Sequence, residues 1–276
     1  MGEVNNVLCD YLGMPIHYAD FWNGTVFRGK RRIKIWQLER HDREYYKLKN
    51  KKGKTGNVRR DVQMHCKGKK DVLLGVEIME VLDYTMPVRI MDYNVQELQR
   101  QIKDIKQKNR MEKKISPGVY LYGLKKTDKL LPVHTVGLYC GEGIYDGPNC
   151  IMDMLDIDGL GLEYRKLLKD YHVKIYNLRD LQEENYETGL REIVAIVKRS
   201  RDREAMKAYY RENMERFRQL DEISIDTLGV LIGKKDLKLF SQEEGGLDMC
   251  KAFEDEREEG REEGREEGRE EGREEG

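Results

Sequence analysis

Two carboxylates and a thioether occupy positions where metal chemistry could be done. Asp61 opens the run DVQMHC, Glu77 follows sixteen residues later inside GVEIM, and Met79 lies two places beyond it. If the two runs are neighbouring antiparallel strands, Asp61 near one end faces Glu77 near the other. Facing carboxylates suit a hard dication such as Mg²⁺, which takes oxygen ligands and keeps water in its remaining positions. An ion held in this way activates water and neutralises charge on a phosphate undergoing displacement. The pattern alone fits solvated or ion-paired carboxylates better than a metal site, so the elements that carry these residues matter.

RRDVQMHC and KDVLLGVEIMEVLD read as two strands. The second contains the near-continuous apolar run of a central strand, Val72, Leu73, Leu74 and Val76. The cationic, glycine-containing run KLKNKKGKTGNVRR (residues 47–60) reads as the hairpin tip that joins them. A short amphipathic helix is expected over residues 16–27. A longer one is expected in PVRIMDYNVQELQRQIKDIKQKN, where Pro87 stands near the start and Ile90, Tyr93, Leu98, Ile102 and Ile105 fall near helical spacing. KLLPVHTVGLYCG and YHVKIYNL supply two further strands, and after them TGLREIVAIVKR, DREAMKAYYRENMERFRQL and SIDTLGVLIG read as helices. This order predicts an α/β fold, with a mixed central sheet flanked by helices, then a helical region and a charged tail. The expected divisions are residues 1–180, 181–250 and 251–276.

The last twenty residues are five copies of REEG, with five Arg against ten Glu, a net of −5. The whole chain of 276 residues carries −1, so the remainder carries +4, which permits a polyanionic partner without requiring one. Glycine at every fourth position costs about 1 kcal/mol each in a helix, while Glu–Arg spacings of three return only ~0.2–0.5 kcal/mol. A solvated extension is therefore expected of the tail. The five cysteines are dispersed and form no CxxC, which predicts reduced thiols without a disulfide framework or thiolate zinc site. Neither a signal-peptide pattern nor an apolar run of membrane-spanning length is found, and a soluble cytoplasmic protein is expected.

The stretch from Gly75 to Tyr93, GVEIMEVLDYTMPVRIMDY, resembles the recombination-promoting nuclease (Rpn) family, also described as YhgA-like transposases. That family reads Gly-Ile-Glu-Asn-Gln, then Asp-Tyr-x-Met-Pro-x-Arg, then a Tyr. RDVQ (Arg60–Gln63) resembles its Arg-Asp-Val, and YADFWN, with Asp20 and Asn23, resembles its first helix. KKTDKLLPVHTVGLYCGEGIYDGP and MCKAFEDEREEGREEG resemble its later strand, its Tyr-Asp-Gly-Pro loop and its Met-Cys-Lys-Ala end with a glutamate–glycine tail. The likeness spans nearly the whole chain. It implies a PD-(D/E)XK nuclease fold and Mg²⁺-dependent DNA cleavage, with Asp61 and Glu77 as metal carboxylates and Asp20 and Asn23 as contributors from the first helix. The chain departs from the family at Met79, where the family has Gln. A thioether has no proton to donate and is a poor ligand for a hard cation. The resemblance therefore implies an endonuclease that cleaves slowly, or a DNA-binding remnant that does not cleave.

Two cationic stretches precede Asp61. Arg28, Lys30, Arg31 and Arg32 form one, and Lys51, Lys52, Lys54, Arg59 and Arg60 belong to the other. Both could track DNA phosphates without reading sequence. The five histidines show no ligand spacing and read as structural or surface residues. CGEGIYDGPN and GKTGN lack the full spacing of a nucleotide-binding loop.

Overall fold

Apolar and β-branched residues dominate VLLGVEIM and VHTVGLY, and these two runs form the centre of a five-stranded sheet. The computed structural model describes residues 2–41, 44–46, 57–59, 61–111 and 122–233. The strands are β1 (Leu38–Arg40), β2 (Glu44–Tyr46), β3 (Asn57–Arg59), β4 (Val62–Cys66), β5 (Val72–Met79), β6 (Val133–Tyr139) and β7 (Lys174–Asn177). The main sheet has the order β1-β4-β5-β6-β7. The pairs β1–β4 and β4–β5 are antiparallel, whereas β5–β6 and β6–β7 are parallel. β2 and β3 pair with each other in a separate ribbon. The protein is thus α/β with a mixed sheet.

Residues 67–71 connect β4 to β5, a shorter link than the one expected from the sequence. The cationic run lies earlier in the chain; its Asn57–Arg59 end pairs with Glu44–Tyr46, and residues 47–56 lie outside the described residues. β1 and the first helix were not anticipated.

Helices cover both faces of the sheet. The first is α1 (Glu3–Leu12), and α2 (Pro15–Phe21) continues into a π-helical turn, Trp22–Val26. Asn5 Nδ2 donates to the Ile78 carbonyl at 3.3 Å and the Tyr18 hydroxyl to that of Leu74 at 2.7 Å. The Trp22 and His134 rings lie 5.7 Å apart. The opposite face receives α3 (Met86–Met111), whose Asn94 Oδ1 accepts from Thr135 Oγ1 at 2.7 Å. Because side chains alternate across a strand, His134 and Thr135 mark opposite faces. The cross-strand register then assigns Leu74, Val76 and Ile78 to the α1–α2 face, and Leu73, Gly75, Glu77 and Met79 to the α3 face.

The buried side of α3 begins with Met86, Pro87, Ile90 and Tyr93 and continues with Asn94, Glu97, Gln101 and Asn109. Leu98, Ile102 and Ile105 are only half-buried. The layer between α3 and the sheet is thus apolar at one end and polar along the rest.

The chain divides into two compact units between Leu181 and Gln182. The first also holds the short α4 (Leu162–Arg165). The second contains α5 (Leu190–Arg199), α6 (Arg203–Glu212), α7 (Met214–Phe217) and α8 (Glu222–Leu231). Five consecutive residues of α5, Ile193–Val197, are buried, which makes it the central helix of that unit. Asp202 and Asp221 cap α6 and α8 by accepting from amides of the first turn. Among the described residues no helix is long and apolar enough to cross a membrane.

Candidate functional site

The β4–β5 ladder ends with Val62 across from Val76. One further step in the same register sets Asp61 across from Glu77, on the face that α3 covers. Asp61 Oδ2 accepts from the Ile78 amide at 2.7 Å, so the carboxylate takes over where the backbone ladder stops. Asp61 is buried, and Glu77 has no exposed surface (0%).

α3 brings a cation to this pair. Arg89 Nη2 lies 3.6 Å from Glu77 Oε2, and its Nη1 donates to Asp83 Oδ2 at 2.6 Å. Burial opposes the charge on Arg89. The bond to Asp83, with Tyr93 and Glu77 close by, outweighs burial and strengthens the guanidinium's hold on its proton. Burial, followed by the charge of Glu77 and more weakly that of Asp61, pushes the Tyr93 hydroxyl up; Arg89, bonded to it, pulls the other way. Asp61, Glu77, Arg89 and Tyr93 therefore share one electrostatic environment.

One turn further along α3, Glu97 is fully buried among cationic and polar partners. Arg100 donates to it at 2.9 and 3.1 Å and Gln101 Nε2 at 3.1 Å, while His41 Nε2 lies 3.4 Å away. Burial opposes its charge, but the bonds from His41, Arg100 and Gln101 prevail and hold its carboxyl at about 2.

Met79 stands on the same strand face as Glu77 but points into apolar surroundings. It is 3% exposed and belongs to a core cluster with Met86, Ile90, Tyr139, Tyr145 and Val173. Glu80 is exposed.

The first cationic stretch forms an exposed loop built by the residues just before it. Asn23 Oδ1 accepts from the amides of Arg32 and Ile33, each at 2.9 Å, and its Nδ2 donates to the Ile33 carbonyl at 2.9 Å. Asp20, itself buried, pairs with Arg31 at 2.7 Å. Arg28 adopts a left-handed backbone (φ 50°) and Gly29 follows it at φ 80°, which makes the tight turn. Arg28, Lys30, Arg32 and Lys34 reach solvent, and Trp36 beside them is 80% exposed. Asp20 and Asn23 thus shape the basic loop from the α1–α2 side of the sheet, and they do not join Asp61 and Glu77. Of the second cationic stretch, Arg59 ends β3, and Lys51, Lys52, Lys54 and Arg60 lie outside the described residues.

Arg89, Tyr93, Glu97 and Gln101 recur every fourth residue and so form one stripe of α3. That polar stripe was visible in the sequence, but nothing in the sequence said that Tyr93, Glu97 and Gln101 would be buried with Arg89 half-buried beside them. A cleft of about 630 Å³, lined by Tyr84, Asp146, Gly147, Pro148, Asp153 and Met154, is a separate feature of the first unit. No protein-family model, curated protein or solved structure matches the chain.

Proposed function

We propose that this chain is a DNA-binding protein on the PD-(D/E)XK plan of the recombination-promoting nucleases, with its acidic pair converted into a structural ion centre and cleavage lost. The complete burial of Glu77 beside the Arg89 guanidinium carries this reading. Mg²⁺ dehydrates reluctantly and keeps several waters. A carboxylate with no exposed surface, next to a permanent cation, does not fit it. Met79 in an apolar cluster offers neither a proton nor a hard donor to a phosphate. The mixed sheet with helices on both faces is compatible with the nuclease plan, as is the alignment of Asp61 with Glu77. The exposed cations at 28, 30, 32 and 34, with Trp36 among them, support contact with DNA through phosphates and base stacking.

A second reading, a slow endonuclease, is favoured by Asp61 and Glu77 sharing one sheet face. It requires Arg89 to withdraw from Glu77 when DNA and Mg²⁺ bind. A single set of measurements separates the two. Supercoiled plasmid with Mg²⁺ should remain intact with the parent protein and with Met79→Gln, while DNA retardation should weaken with salt. Lys30→Ala combined with Arg32→Ala should lower the slope of log affinity against log salt by about two. Plasmid nicking by the parent that Asp61→Ala abolishes would establish the endonuclease instead. Absence of DNA affinity at low salt would remove both readings.

A further inference from the structure

Cys150 and His172 are 22 positions apart and lack any ligand spacing in the sequence, yet the fold sets them side by side. They face each other across an isolated antiparallel bridge. Backbone bonds clamp that bridge on either side, from the Ile151 amide to the Tyr171 carbonyl at 3.1 Å and from the Val173 amide to the Asn149 carbonyl at 2.8 Å. Asp170 is held beside them, its Oδ1 accepting from the amides of Met152 at 3.1 Å and Tyr171 at 2.8 Å. Its other oxygen, Oδ2, lies 3.2 Å from His172 Nε2. The Cys150 sulfur, an Asp170 carboxylate oxygen and a His172 ring nitrogen all fall within 4.8 Å of one another.

We propose that Cys150, Asp170 and His172 form a zinc site, with water in the fourth position. Zinc bonds of about 2.0–2.3 Å hold tetrahedral ligand atoms roughly 3.3–3.8 Å apart. Drawing the three donors together therefore takes about 1 Å of movement, which the largely exposed His172 side chain (78%) is free to make. The donor set discriminates among metals. A thiolate and an imidazole favour borderline ions such as Zn²⁺ over Mg²⁺ or Ca²⁺, and the single carboxylate disfavours soft Cu⁺. Charge also balances, because one thiolate and one carboxylate offset the dication. The Cys150 side chain is buried, with the Asp153 and Asp170 carboxylates close to its thiol. A bound dication reverses that environment and releases the proton. Asp153 stands close to the Cys150 thiol and also lines the cleft with Tyr84 and Asp146, which places the site on the cleft wall. Zinc there would tie residues 149–154 to residues 170–173. The site shares no residue with the Asp61–Glu77 centre and stands whether or not the chain binds DNA.

The test uses the full chain under reducing conditions, stripped with a chelator and dialysed. Titration with Zn²⁺ should show one ion per chain. Co²⁺ in its place should give the near-ultraviolet charge-transfer band of a thiolate ligand, and Cys150→Ser should abolish it. His172→Ala, at an exposed position, and Asp170→Asn, which keeps an oxygen for the Met152 and Tyr171 amides, should each weaken Zn²⁺ binding by at least about tenfold. Amide exchange in residues 149–154 and 170–173 should slow when Zn²⁺ is present. A Co²⁺ thiolate band that survives Cys150→Ser, Zn²⁺ affinity unchanged by His172→Ala, or no stoichiometric Zn²⁺ uptake would each overturn the proposal.

Discussion

Asp61 gives one carboxylate oxygen to the Ile78 amide and extends the β4–β5 pairing beyond its last backbone partner. Viewed that way, Asp61 is a structural acceptor first, and its replacements separate geometry from charge. Asp61→Ala leaves a buried amide without its acceptor and should cost about 1–3 kcal/mol. Asp61→Asn keeps an amide oxygen in reach and should cost clearly less. Urea denaturation of the two variants distinguishes them, and equal losses would show that the negative charge is what the site requires. Met79 stands apart from this polar chemistry because its neighbours Met86, Ile90 and Tyr139 are apolar. A Gln placed there would point into this cluster and not towards a phosphate, which is why Met79→Gln is not expected to rebuild a catalytic group.

At the level of elements, α3 decides the character of the sheet face it covers. Its stripe of Arg89, Tyr93, Glu97 and Gln101 gives the β4 and β5 side chains a polar, partly ionic ceiling, and Glu97 is its one carboxyl. The carboxyl of Glu97 titrates at about 2 in the folded protein against an ordinary value of 4.5. A depressed folded value means stability that is fully present above the unfolded value and lost as the proton is forced on. The fold should therefore weaken as pH falls from about 4.5 towards about 2, and Glu97→Gln should flatten that part of the profile. Urea midpoints measured across the window check this, and an unchanged acid limb in Glu97→Gln would assign the acid sensitivity to other carboxylates. The basic loop is a second case of one element building another. It takes its shape from three hydrogen bonds with Asn23 and an ion pair to Asp20, so these two residues act on a polyanion through the loop.

For the whole molecule, the division after Leu181 separates a sheet-based unit from a helical one, each with its own buried charge. In the helical unit Glu192 is 1% exposed and is bonded by Arg216, whose Nη2 lies 3.4 Å from its Oε2. Removing Arg216 strands that carboxylate among Ile193, Val194 and their neighbours. Because Arg216 is itself partly exposed, Arg216→Ala should cost roughly 2–3 kcal/mol, somewhat under the value for a fully buried pair. Hydrogen exchange should report the loss in α5 to α8 while the amides of β5 and β6 keep their protection. Equal loss in both units would show that they unfold as one cooperative body.

Local patterns determined much of this protein from sequence alone. The apolar run of β5, the length of α3, the strands around His134 and Ile175 and the later helices follow from periodicity, because each element's burial is written into its own residues. The alignment of Asp61 with Glu77 was conditional on the two strands being neighbours, which the sheet pairing supplied. Three matters were left to tertiary structure. The sequence does not say which helix covers which sheet face, so the burial of Glu77 under Arg89 was invisible. Nor does it reveal that Met79 joins an apolar cluster drawn from four different segments. The meeting of Cys150 with His172 depends on a single bridge between two loops, a contact that no spacing rule encodes. Periodicity records what one element does with its own side chains, whereas an electrostatic site is made by groups that only packing brings within a few ångströms of one another.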